Sequence, residues 1–385
     1  MRPVLVLILH AEAPSDAGSL VRALADARRA IAERERIGFL AAGADEARIV
    51  AGPPDGFSFG ERLARLVKGG MAAGATPPGG LVVLGSGSIP LARAADLRRF
   101  VELAAGPAGH ALANNRYSAD VVAISRAADL ADLPPLPADN ALPRWLEERA
   151  GVAVADLRAR WRLGVDVDTP LDLLVLGLGR GRGTPPVDPR AAPLPGATPP
   201  LDATDGQLIG ERLAALAEVL ASRRAELLVA GRVSAATLHW LERGVACRVR
   251  AFVEERGLHA ASRLAQSGAT TWQRPPRSVL GELLDRDGPE SLASIVAGLA
   301  DAAVIDTRVL LAHRLGADES AWPAAENRFA SDLLRPASIA DPWLRAITAS
   351  ATDSSAPILL GGHTLVNGGL RVLAQRVRAG RKWRA

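Results

Sequence analysis

The chain has 385 residues, 48% of them hydrophobic, and a formal net charge of only +4. That length exceeds one ordinary domain and suits two. No uninterrupted apolar run is long enough to span a bilayer, and a single cysteine, Cys247, excludes an intramolecular disulfide or a cysteine-built zinc site. The sequence pI of about 10.1 reflects how little titrates between neutrality and the arginine range, not a basic tract. Bases are interspersed with acids, as in "ARRAIAERERIG", so neither nucleic acid nor a membrane is an expected partner. The cytoplasm is the expected compartment.

Taken in order, the opening "PVLVLILH" reads as a buried strand, not an export signal, and "AGSLVRALADARRAIAERER" reads as a helix. "IGFLAAG" and "ARIVAG" read as strands, and "FGERLARLVKGGMAAG" as a helix. The strand "GLVVLGS" and the helix "ARAADLRRFVELAAG" follow, then strand material in "HALANN" and "DVVAISR" and a helix in "ALPRWLEERAG". Such alternation predicts layered α/β structure with a largely parallel sheet. The stretch 179–205 is too rich in Pro and Gly for helix or sheet and is expected to be a linker. It divides a first α/β domain, 1–178, from a second, 206–385. In the second, "AELLVAG", "CRVRAFVEERG", "AAVIDTRVLLAH" and "APILLGG" read as strands separated by helices. The basic tail "RVRAGRKWRA" reads as a solvated helix end.

Ligands of parallel α/β sheets sit at the carboxyl ends of strands, which selects the loops to inspect. In "DVDTPLDL", Asp166 and Asp168 alternate along an extended segment and point to the same side, within reach of one cation. Thr169 is placed to cap the next helix and Pro170 fits its first turn, so an acidic helix start is the competing reading. In "GSGSIPLA", Gly85 lets backbone approach a phosphate or sugar, and Ser86 and Ser88 offer hydroxyls; a tight packing turn would need the same small residues. Gly60 and Arg62 open the helix before that strand, and an arginine near a helix N-terminus calls for an anionic partner. "LANNRYSADVVAIS" crowds Asn114, Asn115, Arg116 and Asp120 into one loop, where amides can read a base or sugar and Asp120 can add an oxygen ligand.

These pieces, in this order, resemble the GT-A-type nucleotidyltransferase superfamily, the nucleotide-diphospho-sugar transferase fold. The nearer likeness is to the branch with 2-phospho-L-lactate guanylyltransferase and the molybdenum cofactor guanylyltransferases. "FGERLARLVKGG" is similar to the family's G-x-R helix, "VVLGSGSIPLA" to its strand ending in an acid and a proline, and "GVDVDTPLDL" to its Asp-x-Asp-Thr-Pro-x-Asp-Leu element. The likeness covers the first domain. It implies a Rossmann-like, mostly parallel sheet and Mg²⁺-dependent transfer of a nucleotidyl group from an NTP to a phosphorylated or hydroxyl acceptor, or handling of a nucleotide-sugar. Asp166 and Asp168 would be the catalytic and metal-binding pair, with Gly60, Arg62, Gly85, Ser86, Ser88, Asn114, Asn115 and Asp120 about the nucleotide. Two positions depart from the pattern. Ser88 stands where the family has a metal-binding acid, and "LHAEAPSDAGSLVRAL" carries acids where the family has basic residues for the triphosphate. A descendant that binds nucleotide as a sensor or scaffold is therefore the alternative.

The second domain resembles no family in its motifs. Its strand-end candidates are Glu254 and Arg256 in "VEERGLHAA", and Gly362 and His363 in "LLGGHTLVNGG", a turn suited to an anion. Asp306 and Arg308 are expected on one face of a strand as a buried pair. The partners implied are a nucleotide or nucleotide-sugar and a small-molecule acceptor, with homo-oligomer formation left open.

Overall fold

In the computed structural model the described residues are 2–53, 56–72, 79–136, 139–178, 203–254 and 275–375. Arg256, most of the predicted linker (179–202) and the basic tail (376–385) lie outside them. The described residues are α/β and divide into two compact units: unit 1 takes residues 2–15 and the described residues of 28–166, and unit 2 takes 16–27 and the described residues from 167 onward. No helix among the described residues is long and apolar enough to cross a membrane.

Unit 1 is built on six strands: β1 (Val4–Ala11), β2 (Glu46–Gly52), β3 (Gly80–Gly85), β4 (His110–Ala113), β5 (Val121–Ile124) and β6 (Ala153–Asp156). They lie in the order β2-β1-β3-β5-β4-β6. The sheet is mixed, because β5 runs antiparallel to both β3 and β4, while β1 pairs in parallel with β2 and β3. The period-two pattern of β1 and β3 supplies both faces. Val6, Ile8, Val82 and Leu84 pack with Phe39, Leu97 and Phe100, from helices α1 (Ser19–Ala41) and α3 (Ala94–Ala104). Leu7, Leu81 and Val83 face the other way, onto Leu63 and Val67 of α2 (Phe59–Ala72) and Leu142 and Leu146 of α4 (Leu142–Glu148).

"IGFLAAG" is not a strand. Ile37–Ala41 finish α1, with Phe39 fully buried, and the helix ends only where Gly43 adopts φ 102°. An apolar run this short has no period of its own, and no breaker separates it from the helix before it. Helix α2 starts on a capping box that the sequence spells as Ser-x-x-Glu: Glu61 Oε2 accepts from the Ser58 amide (2.9 Å) and hydroxyl (2.8 Å).

Unit 2 holds a four-stranded, wholly parallel sheet, ordered β10-β9-β7-β8, from β7 (Glu226–Gly231), β8 (Arg248–Val253), β9 (Ala302–Asp306) and β10 (Ile358–Gly361). Its helices are α5 (Pro170–Leu176), α6 (Ala203–Leu220), α7 (Ala235–Gly244), α8 (Val279–Asp287), α9 (Leu292–Ala297), α10 (Thr307–Leu315), α11 (Ala325–Asp332) and α12 (Pro342–Asp353). Helix α6 takes the last residues assigned to the linker. The predicted strand "AAVIDTRVLLAH" is a strand only to Asp306. There the Asp306 side chain accepts from the Arg308 amide and caps α10, which carries the remaining residues. Asp306 and Arg308 thus do not share a strand face and do not pair with each other. Continuous Val, Ile and Leu run through both elements, so hydrophobicity alone does not mark the junction.

Gly60 has a packing role in this architecture. Its amide donates to the Leu136 carbonyl (3.0 Å), and a Cβ there would lie 2.6 Å from the Leu136 nitrogen and run into the Pro134 carbonyl oxygen. Gly60→Ala is expected to cost about 1–3 kcal/mol by forcing these backbones apart. A thermal melt unchanged from wild type would refute this close approach.

Candidate functional site

At the carboxyl ends of β1 and β3 the structure joins segments far apart in sequence. Ser88, in the loop after β3, forms an isolated antiparallel bridge with Asp166. The Ser86 amide donates to the Leu9 carbonyl (2.9 Å), and the Ser86 hydroxyl meets His10 Nδ1 at 3.1 Å. The Gly85 amide reaches the Asp120 carbonyl (3.4 Å), and a Cβ on Gly85 would sit 3.2 Å from the Ser88 hydroxyl. Gly85, Ser86, Ser88, Asp120 and Asp166 are therefore neighbours. His10, Ser86 and Ser88 are all buried. The next residue, Ile89, is fully buried with φ 47°. A β-branched side chain in the left-handed region costs of order 1–3 kcal/mol and persists only where its surroundings impose it.

His10 escaped the sequence reading because it stands inside an apolar strand. Only the fold brings it into view: in the β1–β3 register Leu9 lies opposite Gly85, which brings His10 to the level of Ser86. A hydroxyl within hydrogen-bond reach of a buried imidazole is a polar pair that can pass or hold a proton.

The Asn114 amide is occupied within the chain. Its nitrogen donates to Asp120 Oδ2 and to the Leu163 carbonyl, each at 2.8 Å, and its oxygen accepts from the Asp120 (2.9 Å) and Val121 (3.2 Å) amides. These four bonds use its whole capacity, so Asn114 shapes the loop from inside. Asn115 closes an Asx turn on the Tyr117 amide (3.0 Å), and Arg116 pairs with Glu147. The exposed ring of Tyr117 has the guanidinium groups of Arg116 and Arg158 at 5.8 and 5.6 Å. Arg62 is half-buried in the first turn of α2.

Helix α1 braces the serine loop. Arg34 donates to the Pro90 carbonyl at 2.6 Å, and the adjoining Glu35 is buried, with Arg34 at 3.6 Å as its counter-charge. Burial outweighs Arg34 and pushes the Glu35 carboxyl up to about 7.

The other half of the Asp-x-Asp segment belongs to unit 2. Thr169 caps α5 as predicted, with Pro170 in the first turn, and Asp172 closes the capping box. Asp172 Oδ2 accepts from the amides of Asp168 (3.0 Å) and Thr169 (2.8 Å), while its buried Oδ1 has no protein partner. Burial, with the nearby Asp168 charge, pushes this carboxyl up to about 7. Asp168 itself is exposed and Asp166 half-buried. Among the described residues no three His, Cys, Asp or Glu side chains gather as a metal group. Among the described residues the acids of this segment thus form no preformed three-ligand cage.

Farther along unit 2, Glu254 is spent on the start of α8, accepting from the Ser278 hydroxyl (2.7 Å) and the Val279 amide. Burial raises its pKa. Gly362 packs 3.5 Å from the Thr169 methyl, measured from an added Cβ, and His363 is half-buried beside it. Asp306, fully buried, binds Arg232 through Nε (2.6 Å) and Nη2 (3.3 Å). Burial, the largest influence, would raise its pKa, but Arg232, with Arg308 and His363, more than offsets this and holds it below the usual range. Arg308 forks onto Asp332 instead, with Nη2 at 2.7 Å.

No protein-family model matches the sequence, and no curated protein matches it at a significant level. The chemistry of the site rests on its own residues.

The raised Glu35 carboxyl has a consequence for stability. The native state keeps this proton to higher pH than the unfolded chain, so the associated stability is fully present below about pH 4.5 and is lost as pH rises through about 7. The difference is on the order of 3 kcal/mol. Glu35→Gln is expected to remove that share of the decline, read from denaturant midpoints between pH 4.5 and 8. An identical pH slope in the variant would contradict it.

Proposed function

We propose that this chain handles a nucleotide or nucleotide-sugar as a nucleotidyltransferase-type protein, moving a nucleotidyl group from an NTP to a phosphorylated or hydroxyl acceptor. The observation that carries this reading is the bridge between Ser88 and Asp166. A turn read as a phosphate or sugar approach and a segment read as a cation site or an acidic helix start, distant in sequence, lie side by side near the carboxyl ends of parallel strands, where α/β proteins bind ligands.

In this reading Gly85 admits a phosphate or sugar close to the backbone, and the Ser86 hydroxyl, oriented by His10, hydrogen-bonds to it. Asn114 keeps the Asp120 loop in place beside Gly85. Mg²⁺ bound with the nucleotide would neutralise phosphate charge during displacement at the α-phosphorus. Asp166 and Asp168 are the carboxylates offered to it. The chain's own contribution is position: a rigid serine loop, held at the strained Ile89 and braced by Arg34.

One observation favours a second reading, a descendant that binds nucleotide without turning it over. Ser88 presents a hydroxyl where the resembled family places a carboxylate, and no third ligand compensates among the described residues.

Calorimetry with the four NTPs and common nucleotide-sugars, with and without Mg²⁺, separates the two. The transferase reading expects binding that needs Mg²⁺ and falls at least tenfold in Asp168→Ala. Metal-independent binding that is insensitive to Asp168→Ala and not improved by Ser88→Asp supports the binding-only reading. No affinity for any of these ligands would end both.

A further inference from the structure

The first turn of α3, in unit 1, carries a carboxylate that two arginines share. Asp96 is buried, and its Oδ2 accepts from the Arg93 amide (2.9 Å), which fixes the carboxylate in place. Arg160 donates from Nη1 to Asp96 Oδ1 (2.6 Å), and Arg162 Nη2 lies 3.4 Å from Oδ2. Burial, the largest influence on Asp96, would raise its pKa. The Arg93 amide and the two guanidinium groups more than offset this and hold the carboxyl below its usual range. Asp96 is therefore ionised, and one negative charge answers two positive ones.

Neither arginine pairs with another acid among the described residues. The neighbouring Arg158 has an acid of its own, Asp156 at 3.6 Å. Asp96 serves its two partners unequally. Arg160 makes the short contact and still keeps 42% of its side chain exposed. Arg162 is held only by the long contact, and its buried Nε finds no acceptor within the chain. A buried donor on a charged group is costly to leave unpaired, so this guanidinium is under-committed.

The arginines adjoin the serine loop. Two segments of unit 1, 88–96 and 160–166, are joined at both ends: Ser88 bridges Asp166, and Asp96 holds Arg160 and Arg162. The turn that carries the arginines is anchored between these joints. Leu163 is fully buried, its amide donates to the Arg160 carbonyl (2.8 Å), and its carbonyl accepts from Asn114 Nδ2 (2.8 Å). Gly164 follows and is exposed, and a Cβ there would meet nothing within 4 Å among the described residues. The segment thus leaves room for a ligand beside it.

Chemistry selects the ligand. Two guanidinium groups converging on one carboxylate retain N–H donors and one unit of uncompensated charge. A phosphate group has three terminal oxygens and close to two negative charges, so it accepts from both arginines and supplies the charge that Asp96 lacks. The planar forks of arginine match its oxygens in spacing.

We propose that Arg160 and Arg162, set by Asp96, form a phosphate-binding seat in unit 1 beside the serine loop. The seat rests on this geometry. That its phosphate belongs to a nucleotide or to a phosphorylated acceptor rests on the reading above.

Titration calorimetry with inorganic phosphate, at an ionic strength held constant with chloride, tests the seat on the full chain and on Arg162→Gln and Arg160→Lys. Wild type is expected to bind phosphate. Arg162→Gln leaves Asp96 its short contact with Arg160 and is expected to weaken binding roughly tenfold or more. Arg160→Lys keeps a cation for Asp96 but loses the fork, and a several-fold loss is expected; it decides the question if the first variant is misfolded by circular dichroism. Binding unchanged in the folded variants, or no phosphate binding by wild type, overturns the proposal, and in the second case Mg²⁺-NTP binding would leave the nucleotide reading standing. Competition identifies the source. Phosphate displaced by Mg²⁺-NTP marks the seat of the nucleotide's own phosphates, phosphate that binds alongside it marks the acceptor, and either sustains the seat. Phosphate binding that needs Arg162 in a protein with no affinity for NTPs or nucleotide-sugars keeps the seat and removes the nucleotide reading.

Discussion

The carboxyl edge of a parallel sheet concentrates loop backbone and polar side chains, and at that edge unit 2 buries a carboxylate completely. Asp306 is 0% exposed, and such a group is tolerable only with a fixed counter-charge and satisfied oxygens. Arg232 supplies the charge and the Arg308 amide adds a hydrogen bond. Meeting this demand ends β9, starts α10, requires Gly231 opposite, and fixes one edge of the Arg232 guanidinium. The neighbouring Arg308–Asp332 tie then anchors α11 to the same region.

Unit 1 meets the same constraint mainly with neutral groups, the Asp120 carboxylate excepted. Its polar closure uses Ser86 on His10 and four hydrogen bonds between Asn114 and Asp120, Val121 and Leu163, with a backbone bridge between Ser88 and Asp166. Neutral closure costs less desolvation than buried charge and allows a dense turn. The strained Ile89 shows that the turn is over-determined by its neighbours and is not a relaxed connection. A loop of this kind is pre-organised, which is what a positioning site needs.

The raised carboxyls of Glu35 and Asp172 belong to the same picture. Each is buried with less compensation than Asp306 receives, and each therefore keeps its proton toward neutrality. In Asp172 the capping role explains the burial: Oδ2 is needed for two amides at the start of α5, and Oδ1 is carried inside with it.

Much was legible from the chain alone. The strands β1, β3, β7 and β10, most helices, the Thr169–Pro170 helix start and the α/β class follow from local period and cap chemistry, which act over a few residues. Short-range signals failed where two elements share one composition: Ile37–Ala41 continued a helix, and Thr307–Leu315 left a strand. Only the tertiary structure decided that β5 runs antiparallel, that Ser88 meets Asp166, that His10 holds Ser86, and that Arg232, not Arg308, pairs with Asp306. Those outcomes depend on strand order and on which polar groups become buried together. They are non-local choices, set by the need to satisfy every buried donor, acceptor and charge at once.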